Sequence, residues 1–236
     1  MVTEFKMSLD ERQAILTAYE NLRVTDVCDG MDWVGLFDLG LVCRNIRPLW
    51  RTKTVGIAKT VRYVPTMQRI PTMTPEEYDE YVRWWYGEVC KYPFGALIED
   101  GDMLMFDCGG LDVGLLGSNN ALAYVNQGAR GLVTDGGCRD TDEVIIEQVP
   151  LWCRHISRTM VQGRLEFSDM MNPINVGGVL VNPGDVVVAD GDGVIVVPRA
   201  KALDVAKYAR REHENDNKSR RKLYEAAGLP EDESLL

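Results

Sequence analysis

The sequence predicts an α/β protein built around a mixed sheet, and three observations point there. From about residue 95 strand-like runs alternate with glycine-rich loops and short helical patterns. Near the end, two valine-rich runs of four flank Asp190-Gly191-Asp192-Gly193, the composition and spacing of a β-hairpin. Both ends of the chain carry helical periodicity. Mixed βαβ and hairpin units together define an α/β fold with both strand senses in one sheet.

The elements follow in order. Residues 8–23 begin with Ser8 as a cap, and Leu9, Ile15, Leu16, Tyr19 and Leu22 recur at near-helical spacing. A second short helix is expected from Thr25 or Asp26 through Cys28, Met31 and Trp33. Residues 54–64 read as a strand, with Val55, Ile57, Val61 and Tyr63 on one face. Lys59 shares that face. It reads as a lysine snorkelling from a strand end, since no partner for a Schiff-base role is visible. Thr74-Pro75-Glu76-Glu77 is a cap, a first-turn proline and an acidic first turn, and the helix it opens carries Tyr78, Tyr81, Trp84, Trp85 and Tyr86. Core packing is the commoner use of such aromatics; roofing a pocket or an interface is the other.

The regular part then predicts a strand over 102–107, a helix over 121–127, a strand over 131–134 and a glycine turn at Asp135-Gly136-Gly137. A short helix over 141–147, a strand over 151–157, a strand-like run at 179–181, the hairpin and a charged helix over 200–227 complete the chain. No repeat, linker or shift of composition divides it, so one domain spans 1–236.

Composition excludes several functions. The chain has 236 residues, long enough to bury roughly 70% of its unfolded surface. With 36 acidic residues against 26 Lys and Arg, its net charge of −10 disfavours nucleic acid and anionic membrane surfaces. No apolar run approaches membrane-spanning length. The opening MVTEFKMSLDERQ is charged where a secretory leader is apolar. Six scattered cysteines without a C-x-x-C pattern read as reduced thiols, so a cytoplasmic setting is expected. Two histidines rule out a histidine-rich metal site and leave oxygen ligands; His155 reads as structural. Neither a P-loop nor G-x-G-x-x-G nor G-x-S-x-G occurs, which removes kinase, dehydrogenase and serine hydrolase readings.

Two features carry chemistry. Gly117, Ser118, Asn119 and Asn120 form a small polar turn entering a helix, where free N–H groups and the helix dipole suit a carboxylate; a plain N-cap is the simpler reading. The second is GLVTDGGCRD, in which a strand and glycine turn deliver Arg139 and Asp140. Arginine grips a carboxylate or carbonyl oxygen, and aspartate offers oxygen to Mg²⁺ or Mn²⁺. Each alone is also an ordinary surface feature. Together they suit a 2-oxo acid with a divalent metal.

At these residues the sequence resembles a known family. The segments VTDVCDGMD, GLLGSNNALAYVNQGARGLVTDGGCRDTDEV, VPLWCRHIS and VGGVLVNPGDVVVADGDGVIVVPRA resemble the family of the regulator of ribonuclease activity A and the 4-hydroxy-4-methyl-2-oxoglutarate/4-carboxy-4-hydroxy-2-oxoadipate aldolases. The resemblance implies a swivelling α/β/β/α sandwich, assembled as a homotrimer or hexamer with sites between subunits. It implies substrate-carboxylate binding at Gly117, Ser118, Asn119 and Asn120, contact of Arg139 with the oxo and carboxylate oxygens, and Asp140 as ligand to a largely water-bound Mg²⁺ or Mn²⁺. The implied reaction is class II lyase chemistry through a pyruvate enolate, on a 4-hydroxy-2-oxo acid or oxaloacetate. Glu212 and Glu214 lie where some members contribute a glutamate from the neighbouring C-terminal helix.

Two departures stand out. Active aldolases of the family have an acidic residue 21 positions before the arginine, and here that position is Ser118. The 66–93 segment is longer than its usual counterpart and reads as an inserted aromatic helical segment between the N-terminal helices of 1–50 and the rest. These departures leave two alternatives to the lyase: a non-enzymatic regulator that binds a protein partner, and another metal-assisted reaction such as dehydration or isomerisation of a sugar acid. Retained Arg139 and Asp140 weigh against the regulator.

Overall fold

The computed structural model describes residues 6–235. Two helices open the fold, α1 (Leu9–Ala18) and α2 (Val24–Trp33), followed by strands β1 (Arg47–Pro48) and β2 (Thr54–Pro65). Helix α3 (Pro75–Trp84) runs into a π-helical turn at Trp85–Val89 and a short 3₁₀ turn at Pro93–Leu97. Next come β3 (Asp102–Asp107), β4 (Gly114–Leu116), α4 (Ser118–Asn126), β5 (Ala129–Cys138), α5 (Thr141–Ile146) and β6 (Leu151–Ile156). Strands β7 (Leu165–Met170), β8 (Ile174–Val176), β9 (Val179–Val181), β10 (Val186–Ala189) and β11 (Val194–Val197) lead to the long α6 (Ala202–Ala227). The expected α/β class and mixed sheet are what the chain forms.

The main sheet runs β1-β6-β5-β3-β2-β10-β11, with β4 beside β5 and β7 beside β2. Strands β2, β3, β5 and β6 are parallel, whereas β10 and β11 return antiparallel. Alternation along each strand divides the apolar residues between two faces. Ala58, Met103, Met105, Val133, Trp152, Val187 and Val196 point inward and meet Ile174, Val176 and Val181 of the β8–β9 hairpin. Outward-facing residues form two further cores. Leu104, Phe106, Leu132 and Leu151 pack under α4, α5 and the Trp85 turn, while Ile57, Val186, Val188 and Ile195 pack under α1, α2 and α6. Two half-sheets therefore share β2, enclose one core and carry helices on their outer faces, the α/β/β/α order.

Where the structure differs from the sequence reading, backbone pairing or a local partner explains it. Asp135-Gly136-Gly137 is extended strand. Gly137 pairs with Gly114 on one side and His155 on the other, so β4 and β6 keep β5 in the sheet as far as Cys138, with a register shift between Thr134 and Gly137. A Cβ at Gly137 would lie 2.7 Å from Ser157 Cβ and 2.8 Å from the Val113 carbonyl, so the glycine serves close packing. The first helix stops at Ala18, short of 23, and α4 starts three residues before the expected 121. Of the aromatics after Thr74, Trp85 is wholly buried and gives its indole N–H to the Leu165 carbonyl.

Lys59 does not snorkel. It is buried in the middle of β2, with Nζ 2.7 Å from Asp102 Oδ2 and a further bond to the Leu97 carbonyl. Arg12 of α1 reaches the other oxygen, Oδ1, at 2.9 Å. Asp102 is completely buried, and this one carboxylate joins α1 to β2 and β3 at the seam between the two outer helical layers. Removing it leaves Arg12 and Lys59, both buried, with only the exposed Glu99 carboxylate at 3.0 and 3.8 Å, whereas removing Lys59 leaves the Arg12–Asp102 pair intact. Asp102→Ala should therefore lower the unfolding free energy by about 3–5 kcal/mol in denaturant titrations, and Lys59→Met should lower it by clearly less.

Candidate active site at the start of helix α4

The polar turn and the Arg139-Asp140 pair meet in space. Strand β4 ends at Leu116, Gly117 caps α4, and β5 runs alongside before ending at Cys138. The Arg139 N–H donates to the Leu116 carbonyl at 2.8 Å, which locks the end of β5 to the start of the helix. Two glycines make the approach feasible. A Cβ on Gly117 would stand 2.7 Å from Asp140 Oδ2, and one on Gly114 would stand 3.0 Å from Arg139 Cδ. The aspartate carboxylate and the arginine stem occupy the space those side chains would take.

The helix start leaves backbone donors unpaired. Asn120 accepts from the Gly117 N–H at 2.8 Å and donates to the Leu115 carbonyl at 3.0 Å, so its side chain holds the turn in shape. Among the described residues, the backbone N–H groups of Ser118, Asn119 and Asn120 find no acceptor. Three unpaired donors at the positive end of a helix dipole are an arrangement that suits an anion. Ser118 is partly buried there and brings no charge.

Asp140 is held in an unusual way. It caps α5 with φ 55° and ψ 44°, a left-handed conformation that is strained for a non-glycine residue, and its side chain makes no capping bond. An N-cap aspartate ordinarily stabilises its helix by accepting from the first turn. This carboxylate instead takes one bond from Arg139 Nε at 3.2 Å and faces Gly117. Both side chains remain about one-third exposed, at 35% and 36%, so the guanidinium keeps its Nη donors free for a ligand.

Neighbouring residues the sequence reading passed over build the surroundings. Asp135 is buried and accepts from the Cys108 N–H at 2.6 Å and the Gly110 N–H at 3.1 Å, which ties the 108–110 loop to β5. Burial pushes its carboxyl above the usual carboxylate range, against the pull of those two donors. His155 Nε2 lies 3.0 Å from the Gly110 carbonyl. The Thr159 carbonyl closes on Gly114, 2.5 Å from where its Cβ would be. The signal for these was present in the glycine spacing, which marks close approaches without naming the partners.

The C-terminal glutamates are elsewhere. Glu212 accepts from Trp33 Nε1 at 3.0 Å and pairs with Arg211, on the α6 face packed against α2, and Glu214 is exposed. Within one chain, neither joins Arg139 and Asp140 through any contact among the described residues. Nor do three His, Cys, Asp or Glu side chains converge anywhere among the described residues. A metal cage made wholly of protein is thus not what these residues build. A single carboxylate about one-third exposed does fit Mg²⁺ or Mn²⁺, which commonly take one or two carboxylates and keep several waters. No helix among the described residues is long and apolar enough to cross a membrane.

DlpA of Legionella pneumophila is 24% identical over 197 residues, covering 83% of this chain and 29% of DlpA. A 4-hydroxy-4-methyl-2-oxoglutarate aldolase of Thermus thermophilus is 35% identical over 100 residues, covering 42% of this chain and 60% of that enzyme. The chain therefore spans less than two thirds of the length of either relative. Among solved structures, a protein from Pseudomonas syringae pv. tomato superposes with a TM-score of 0.72 at 25% identity, covering 95% of this chain and 98% of the other. Streptomyces coelicolor RraAS2, described as an unusual member of the RNase ES inhibitor RraA protein family, also gives 0.72, at 24% identity over 89% of this chain and 98% of its own. That likeness shows the fold. The sequence profile of the RraA-like family (Aldolase/RraA) matches residues 24–196, and the chain belongs to that family.

Proposed function

We propose that the chain is a divalent-metal-dependent carbon–carbon lyase acting on a small 2-oxo acid, oxaloacetate or a 4-hydroxy-2-oxo acid. The observation that carries this reading is Asp140. It is strained, does not cap its own helix, and shares the space beside Gly117 with Arg139 and three unpaired amides. Strain of this kind costs about 1–3 kcal/mol and persists where a site requires it.

The substrate's C1 carboxylate would sit on the N–H groups of Ser118, Asn119 and Asn120. Arg139 would direct its free Nη donors at the 2-oxo oxygen, where negative charge collects as the C3–C4 bond breaks. Asp140 would hold Mg²⁺ or Mn²⁺, which when bound supplies Lewis-acid stabilisation of that same charge. In oxaloacetate the C4 carboxylate leaves as CO₂, its bonding electron pair moves through C3 onto the oxo oxygen, and C3 then takes a proton from water. No base is needed for that step. Retro-aldol cleavage of a 4-hydroxy-2-oxo acid also requires removal of the hydroxyl proton. Ser118 supplies no carboxylate for it. The neutral Ser118 therefore favours decarboxylation over aldol cleavage.

Self-association into a trimer or hexamer belongs to this reading. Trp33, Phe37, Leu39 and Leu41 lie close in sequence and are each more than two-fifths exposed, the character of an interface surface. The six free thiols support a reducing, cytoplasmic setting.

Purified protein with Mg²⁺ or Mn²⁺ should release pyruvate from oxaloacetate, and chelation should abolish the release. Absence of release with either metal, across oxaloacetate and a panel of 4-hydroxy-2-oxo acids, would defeat the proposal. Arg139→Ala should lower kcat by about 10²–10³-fold, and Asp140→Asn should abolish the metal-dependent release or require far more metal to restore it. Ser118→Asp should tighten metal binding and raise aldol cleavage relative to decarboxylation. Equal effects of Ser118→Asp on both reactions would contradict the role given to that position.

A further inference from the structure

The buried charges at Lys59 border open space. Between α1, β2 and the segment before β3 lies a cavity of about 990 Å³, at the upper end of the roughly 300–1,000 Å³ typical of small-molecule sites. Met7, Leu97, Ile98 and Met171 give it apolar walls, and Arg12 and Lys59 line it as well. Both cations are more than nine-tenths buried. Long charged side chains are seldom buried so deeply unless an anion faces them.

Two carboxylates meet that need, and they differ. Asp102 is completely buried and lies 2.9 Å from Arg12 and 2.7 Å from Lys59. It also accepts from the Glu99 N–H at 2.8 Å, which fixes it in place. Glu99 approaches the same two cations with Oε2, at 3.0 Å from Arg12 and 3.8 Å from Lys59. Its side chain is 66% exposed, so it can return to water at little cost. Two cations then face the single carboxylate of Asp102, and one net positive charge is left beside apolar walls. That combination matches one ligand chemistry, a carboxylate on a hydrocarbon chain. A hydrated dianion gains nothing from the walls, and a neutral molecule makes no use of the cations.

We propose that this cavity binds a small amphiphilic carboxylate, with Glu99 as an internal stand-in that the ligand's head group displaces from Arg12 and Lys59. The hydrocarbon tail lies along Leu97, Ile98 and Met171. The site shares no residue with the one at the start of α4 and does not depend on the lyase reading. Met171 offers a means of testing the tail contact, because its φ of 56° is a conformation that asparagine adopts more readily than methionine.

Calorimetric titration of the full chain with butyrate, hexanoate and octanoate tests the proposal, with 1-octanol as the neutral control. Octanoate should bind saturably where octanol does not, and affinity should rise by about two- to fourfold for each methylene added. Glu99→Gln removes the internal competitor and should tighten octanoate binding by about two- to fivefold. Lys59→Met takes away a partner of the head group and should weaken it by about tenfold or more. Met171→Asn makes the wall polar and should weaken octanoate more than butyrate. Circular dichroism should show the variants folded, and the exposed position of Glu99 keeps that variant informative even where Lys59→Met loses stability. Absence of saturable octanoate binding in both the wild type and Glu99→Gln would overturn the proposal. Equal binding of octanol, or an octanoate affinity unmoved by Glu99→Gln, would overturn it as well.

Discussion

Arg139 and Asp140 reach the first turn of α4 because Gly114 and Gly117 have no side chains. The carboxylate of Asp140 and the stem of Arg139 fill the volumes those side chains would take. Everything else about the site follows from this close approach. β5 must stay extended through Gly136 and Gly137 to carry the pair so far, and β4 and β6 on either side keep it so. Asp140 must then turn sharply into α5, which it does in a left-handed conformation. Strain in the backbone and a forgone helix cap are the costs of aiming one carboxylate at the amides of another helix.

The electrostatics are local. A chain of charge −10 repels a dianionic acid at long range. Attraction therefore has to come from groups within the first few ångströms: the free helix amides, the Nη donors of Arg139 and, in the reading proposed here, a bound divalent ion. Ser118 fits this economy. In that reading, another carboxylate at that position would strengthen metal binding but would also add negative charge where a substrate carboxylate would settle. Elsewhere the protein uses charge structurally, as at Asp102, where one buried carboxylate satisfies both Lys59 and Arg12.

Much of the fold was legible in the sequence because alternation and turn chemistry are local signals. β3 and the β10–β11 hairpin fall where the pattern places them. So do Gly117 at the helix entrance and the adjacency of Arg139 and Asp140. What was not legible depends on partners distant in the chain. β4 and β8 are three residues long and exist only through pairing with β5 and β9. Asp135-Gly136-Gly137 has turn composition, yet neighbours on both edges hold it as strand. Lys59 looked like a solvated strand end because Asp102, its partner, lies 43 positions away. The coincidence of α4's amides with Arg139-Asp140 lies between these cases: each half shows in the sequence, and only the register of β4 on β5 brings them together.

The central claim is that the α4 amides, Arg139 and Asp140 form one site for a 2-oxo acid and a divalent ion. A crystal structure with Mg²⁺ and oxalate, an unreactive mimic of the pyruvate enolate, tests it most directly. The account predicts an Asp140 oxygen on the metal, oxalate bridging the metal and Arg139, and oxalate oxygens on the amides of Ser118 to Asn120. Oxalate bound without Asp140 and Arg139, or a metal held by other residues, would contradict it.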